Sequence, residues 1–82
     1  MVKIAIKYCV ECMFLGRALE IAKMLLEQYP QQIKNVKLVP GKEGVFTIKL
    51  DKERIYRIGK EGKLPSPEEI RGLLEPKLQT RA

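Results

Sequence analysis

Val2-Lys3-Ile4-Ala5-Ile6-Lys7-Tyr8-Cys9-Val10-Glu11-Cys12 decides how the rest of the chain is read. Val2, Ile4, Ile6 and Tyr8 fall on one side of an extended run, and Lys3, Ala5 and Lys7 on the other. This is the period-two pattern of a strand with one buried face. Cys9 and Cys12 close the run and are the chain's only 2 cysteines. From Phe14 the period changes: Phe14, Leu15, Ala18, Leu19, Ala22, Leu25, Leu26 and Tyr29 recur at helical spacing, with Arg17, Glu20, Lys23 and Glu27 on the solvated side. The spacing predicts a helix over Met13–Tyr29, ended by Pro30. Strand, Cys-x-x-Cys, helix is the setting in which two thiols act as a reversible redox pair.

Working outward, Lys34–Val39 reads as a second strand, with Val36 and Leu38 facing one way and Lys37 the other. Pro40-Gly41-Lys42-Glu43-Gly44 is turn chemistry. Val45–Leu50 alternates again, with Phe46, Ile48 and Leu50 inward and Thr47 and Lys49 outward. Asp51-Lys52 is a two-residue hairpin connection to a fourth strand, Glu53–Ile58, whose alternation is poor. A charged loop over Gly59–Pro65 leads to a final helix. Ser66 is its cap, Pro67 its first residue, and Glu69 completes a capping box. Ile70, Leu73 and Leu74 form its apolar face. Gly72 weakens it and Pro76 limits its length, so 77–82 is expected to fray.

The order β-α-β-β-β-α makes the first two strands parallel through a right-handed crossover and the later ones antiparallel. Strands apolar on one face, together with amphipathic helices, predict a two-layer α/β domain over 1–82. Both helices cover one face of a four-stranded mixed sheet. The open face then carries Lys3, Lys7, Lys37, Thr47 and Lys49 and much of the net charge of +6.

Composition narrows the function. At 82 residues and 45% hydrophobic, the chain is one small globular domain. It has no apolar run near the roughly 20 residues of a membrane span. Lysines interrupt the apolar N-terminus, so it reads as a strand and not as a signal peptide. The expected location is the cytoplasm, where thiols stay reduced. A Cys9–Cys12 bridge closes too small a loop to contribute much stability. With 0 histidines, a Cys-His nucleophile, a His base and any Cys/His zinc site within one chain are excluded. The alternatives to redox work are a zinc ion shared by two chains, each giving both thiolates, and two incidental cysteines.

The predicted register puts Cys9 at or just before the helix start and Cys12 in its first turn. There unpaired N–H groups and the helix dipole favour thiolate. Lys7 adds to that field and Glu11 opposes it. One thiol would attack a disulfide or sulfenic acid, and the other would resolve the mixed disulfide.

Tyr8-Cys9-Val10-Glu11-Cys12, a long helix ending in Tyr29-Pro30, Val39-Pro40-Gly41-Lys42-Glu43-Gly44-Val45-Phe46 and Gly62-Lys63-Leu64-Pro65-Ser66-Pro67 together resemble the selenoprotein W-like family (SelT/SelW/SelH, or Rdx). The likeness runs from about Val2 to Leu74. It implies a thioredoxin-like fold and a redox role linked to glutathione or peroxide; oxidised protein thiols are the other expected substrates, and no metal or cofactor is expected. By position Cys9 matches the family's first cysteine, and Cys12 the site that is selenocysteine in some relatives. The two arguments point to different attacking atoms. Helix-end geometry and thioredoxin logic, in which the N-terminal thiol is the exposed one, favour Cys9, and the balance leans to it, whereas the selenium position favours Cys12.

Tyr8, Met13 and Pro40 are the candidates for substrate contact. Thioredoxin-like proteins place a cis-proline opposite the thiols; for Pro40 the favoured reading is instead a trans residue in a Pro-Gly turn, with Gly41 taking a positive φ. Met13 either lies exposed beside the thiols, offering an apolar contact to a protein partner, or is covered by loops. The lysines of the open face can neutralise phosphates. No aromatic ring joins them on the first three strands, which argues against nucleic acid; Tyr56 is the one exception to check.

Overall fold

The computed structural model describes residues 2–59 and 62–81. Its elements are β1 (Val2–Cys9), α1 (Leu15–Gln28), β2 (Ile33–Gly41), β3 (Phe46–Leu50), β4 (Glu53–Arg57) and α2 (Pro67–Arg81). The strands form one four-stranded sheet in the order β2-β1-β3-β4. β1 pairs parallel with β2 and antiparallel with β3, and β4 pairs antiparallel with β3. This is the predicted mixed α/β topology.

One apolar layer lies between sheet and helices. Ile4, Ile6, Phe46, Ile48 and Leu50 from the central strands close over Ala18, Ile21 and Leu25 of α1 and Ile70, Leu74 and Leu78 of α2. The helical residues follow i, i+3, i+4 and i+7 spacing, the stripe that buries one side of a helix. That stripe lies differently from the predicted one. Ile21 belongs to it, while Leu15, Leu19, Leu26 and Leu73 are exposed. Ala18 and Ala22 at its centre let α1 approach the sheet, which turns the bulkier leucines outward.

Two bulges reset the register. Ile48 pairs with Tyr56 but Lys49 pairs with Arg54, so Ile55 is an extra residue in β4. This explains the poor alternation of that strand. It puts Tyr56 on the helix side, where its ring packs edge-on against Phe46 at 6.5 Å, and puts Arg54 and Arg57 opposite Lys49 and Thr47 on the open side. A second shift between Val2 and Lys3 admits Lys34 into β2 as an unpaired residue.

β2 extends beyond its predicted end. Tyr8 pairs with Pro40 and Cys9 with Gly41, so the turn starts at Lys42. Pro40 is tolerated because β2 is an edge strand, where a missing N–H can face away from the ladder. The positive φ expected of Gly41 belongs instead to Glu43 (59°) and Gly44 (75°). Gly41 is required for space: a Cβ there would stand 2.6 Å from Val45 Cγ1 and 3.1 Å from Lys7 Cε.

The capping box forms as predicted, with Glu69 N–H donating to Ser66 Oγ at 3.2 Å and Ser66 N–H to Glu69 Oε1 at 3.5 Å. α2 does not stop at Pro76 but continues to Arg81. Leu74 and Leu78 on either side of the proline are buried in the core, and Lys77 pairs with Glu53 of β4. This anchoring offsets the hydrogen bond that proline removes. Of the expected frayed segment, Ala82 lies outside the described residues.

Candidate redox site

β1 delivers Cys9 to the end of the sheet. Beside it, the Val10 N–H donates to the Gly41 carbonyl at 3.2 Å. The chain then folds back in a tight turn: Met13 N–H donates to Val10 O at 3.1 Å, and Phe14 N–H to Cys9 O at 3.3 Å. Cys9 and Cys12 are joined as a disulfide with their Cα atoms 5.3 Å apart. The Cys12 N–H also donates to Cys9 Sγ at 3.2 Å.

The two sulfur-bearing residues are not equivalent. Cys9 is 0% exposed, enclosed by β2 and by the turn that folds over it, whereas Cys12 is exposed. This reverses the expectation that the N-terminal thiol is the accessible one. The helix start also differs from the prediction. α1 begins at Leu15, three residues after Cys12, so neither cysteine lies in its first turn. Met13 is the cause: its φ of 61° is left-handed and cannot continue a helix. α1 has no acidic residue in its first turn and no side-chain cap, so the acid nearest its start in sequence on the N-terminal side is Glu11 of the turn.

Met13 is 87% exposed and Val10 55% exposed, so apolar groups flank the accessible sulfur. Of the two readings of Met13, the exposed one holds. Tyr8 is half-buried and packs against the core. Pro40 is trans and exposed, one strand across from Tyr8. It lines a groove of about 800 Å³ with Lys7, Gly41, Lys42, Thr47 and Arg57. Cys9, Cys12 and Met13 thus share one turn. Tyr8 precedes that turn on β1, and Pro40 is its partner on the neighbouring strand.

Two residues support the site in ways the sequence reading did not give. Phe14 closes the turn onto the core, its ring edge-on to Phe46 at 6.1 Å. Arg17 Nη1 donates to the Pro65 carbonyl at 2.7 Å, tying the start of α1 to the segment before α2. The helical spacing makes Phe14 the first residue of the helix's apolar face, and it instead precedes the helix; nothing in the sequence marks Arg17 as different from its solvated neighbours.

A strand-to-turn-to-helix CxxC on a two-layer, mixed four-stranded α/β sheet defines the class: small thioredoxin-like proteins with one dithiol pair. Residues 3–75 match the Rdx family profile, and the chain belongs to that family. It is similar to the crystal structure of a selenoprotein W-related protein from Vibrio cholerae, with a TM-score of 0.86 and 25% identity over 94% of this chain and 96% of that one. It is also similar to the crystal structure of a Bordetella parapertussis protein, with a TM-score of 0.85 and 30% identity over 93% of this chain and 96% of that one. It matches none of the curated proteins. Family and bonded cysteine pair together support a redox-related role. No helix among the described residues is long and apolar enough to cross a membrane.

Proposed function

We propose that the protein carries out thiol–disulfide exchange, with Cys12 as the sulfur that meets the substrate and Cys9 as the one that leaves or resolves. The observation that carries this reading is the difference in exposure between the two residues. An incoming thiolate attacks Cys12 Sγ, forms a mixed disulfide there and expels Cys9 as thiolate. The Cys12 N–H that already points at Cys9 Sγ stabilises the charge that develops on the leaving sulfur. A second thiolate then attacks the substrate sulfur and releases Cys12, so two substrate thiols become one disulfide and the protein becomes a dithiol. Run in reverse, the dithiol reduces a substrate disulfide: Cys12 attacks and Cys9 resolves.

Glutathione mixed disulfides and oxidised protein thiols are the substrates this chemistry suits, and the cytoplasm is the compartment that keeps the pair reduced. Exposed Val10 and Met13 favour a second reading, a redox sensor that recruits a protein through this turn without turning over.

Single-serine variants decide between the sulfurs. Treated with oxidised glutathione, Cys9→Ser protein is expected to hold a glutathione adduct on Cys12, and Cys12→Ser protein to hold none on Cys9. An adduct on Cys9 alone would overturn the assignment. Turnover of a glutathione mixed disulfide, with a reduction potential between those of thioredoxin and glutaredoxins (about −270 to −200 mV), supports exchange. A pair that oxidises reversibly without turnover supports the sensor.

A further inference from the structure

The open face of the sheet has a composition that the fold does not require. Two rows cross all four strands: Lys37, Ala5, Lys49 and Arg54 in one, and Val39, Lys7, Thr47 and Arg57 in the other. They hold five of the chain's 16 basic side chains and none of its 10 acids. All five cations are exposed, and none is ion-paired among the described residues. The acid in the ladder is Glu53, which pairs with Leu50 beyond the rows and is engaged by Lys77 of α2; Asp51, in the hairpin turn, accepts from the Lys3 N–H at 3.0 Å. Lys49 stands directly opposite Arg54, an arrangement of like charges that weakens strand pairing. Between them the face dips into a hollow of about 370 Å³, lined by Ala5, Val39, Val45 and Thr47 together with Lys7, Lys49 and Arg54.

We propose that this face docks acidic protein segments, which are the partners that bring their thiols or disulfides to Cys12; the choice of partner rests on the exchange reading above. Charge complementarity sets the sign of the occupant. Across the sheet neighbouring side chains stand about 5 Å apart, and along a strand same-face residues stand about 7 Å apart. That lattice matches the carboxylates on alternate residues of an extended acidic peptide. A single-stranded nucleic acid would need rings to stack on, yet Phe46 is buried in the core and Tyr56 packs against it. A lipid surface would need large apolar side chains to insert, and Val39 is the largest apolar residue in the rows. Position completes the argument. Lys7 lies two residues before Cys9, and its side chain runs along Gly41, which pairs with Cys9. A partner seated on the rows therefore lies beside the redox turn, and of these three occupants a peptide or protein is the one whose ordinary side chains carry thiol or disulfide sulfur.

The test uses the oxidised full chain and two labelled 12-residue peptides that lack cysteine, one with alternate Glu and one with alternate Lys, followed by fluorescence anisotropy. The Glu peptide is expected to bind at least tenfold tighter, to lose about tenfold in affinity between 50 and 200 mM salt through screening, and to lose binding to the Lys49→Glu/Arg54→Glu variant. Equal binding of the two peptides, or unchanged binding of the Glu peptide to the variant, overturns the proposal. So does a duplex RNA or a phosphatidylserine vesicle that binds tighter than the Glu peptide at the same salt. If the double variant does not fold, Lys37→Gln and Arg57→Gln singly should each weaken Glu-peptide binding about two- to threefold. Reduction of neutral hydroxyethyl disulfide by the reduced wild-type protein probes the exchange reading separately. Its failure with Glu-peptide binding intact removes the redox reading and leaves the docking surface standing.

Discussion

The same strands build two unlike surfaces. Toward the helices, β1 and β3 present Ile4, Ile6, Phe46, Ile48 and Leu50, all buried. Away from them they present Lys3, Ala5, Lys7, Thr47 and Lys49, a face with no apolar layer over it. Successive side chains point to opposite faces, so neighbouring residues of one strand serve different purposes. The covered face supplies the hydrophobic free energy of folding, and the open face is left free to carry charge. The redox turn sits where the two meet. Cys9 continues the odd-numbered, open-side positions of β1, yet it is enclosed because the turn folds back over it, while Cys12 projects from that turn into solvent.

The largest effect that would break this comparison lies on the covered face. Phe46 is 0% exposed and meets the rings of both Phe14 and Tyr56. Phe46→Ala is expected to lower unfolding stability by about 3–5 kcal/mol, the cost of lost burial plus a residual cavity. Because Phe14 closes the redox turn, the variant should also expose Cys9 to alkylation in the reduced protein. Urea unfolding and iodoacetamide labelling measure the two effects. A loss below about 1 kcal/mol would mean the covered face does not hold the fold together.

A middle-sized effect sharpens the boundary of that face. Tyr29 is 9% exposed and its buried hydroxyl makes no hydrogen bond of good geometry among the described residues. Burial, and next the Glu75 carboxylate, push its pKa above 10.0. Burial, and next Glu69, do the same for Tyr56. A folded pKa above the unfolded one means that the folded state keeps its proton longer. Stability is therefore fully present below about pH 10 and falls as pH rises through the folded pKa values. Removing an unsatisfied buried hydroxyl is neutral or stabilising, so Tyr29→Phe should change neutral-pH stability by about 0 to +1 kcal/mol and blunt the alkaline loss. Thermal unfolding between pH 8 and 11 checks both. A Tyr29→Phe protein that is less stable at pH 7 would show that the hydroxyl has a partner.

Most of the sheet was legible in the sequence because alternation survives in β1, in the central part of β2 and in β3, where one face is buried and register is strongly specified. β4 was legible as a strand after its hairpin, but the facing of its side chains was not, since the extra Ile55 shifts its pattern in mid-strand and no local signal announces a bulge. The same bulge hid the cationic role of Arg54 and Arg57. At the site, Cys9 and Cys12 lie bonded in one turn, and Met13, whose two readings the sequence left open, is exposed. The relative accessibility of the two cysteines was not legible, because it depends on Met13 taking a left-handed φ and delaying α1 to Leu15. A single non-glycine residue at positive φ is set by the closure of the turn, not by its own propensity. Pro40 was misplaced for a related reason: proline and glycine together read as a turn, whereas pairing with β1 holds both in an edge strand.

The smallest effect is the most discriminating. Lys49 is exposed, pairs across the ladder with Arg54, and has only Ala5 opposite it on β1. If the open face adds nothing to folding, Lys49→Ala should fall within about ±0.5 kcal/mol of the parent, as surface changes do. Its sign is informative. Relieving the like-charge opposition to Arg54 should make the variant slightly more stable at low salt. Screening should erase that gain near 1 M salt, where the Debye length falls to about 3 Å. Urea unfolding of parent and variant at both salt concentrations gives the comparison. A gain that persists at high salt would assign the effect to strand propensity, and a loss above about 1 kcal/mol would make Lys49 part of the fold. Only the salt-sensitive gain leaves the open face as a charged surface maintained against the interest of the sheet that carries it.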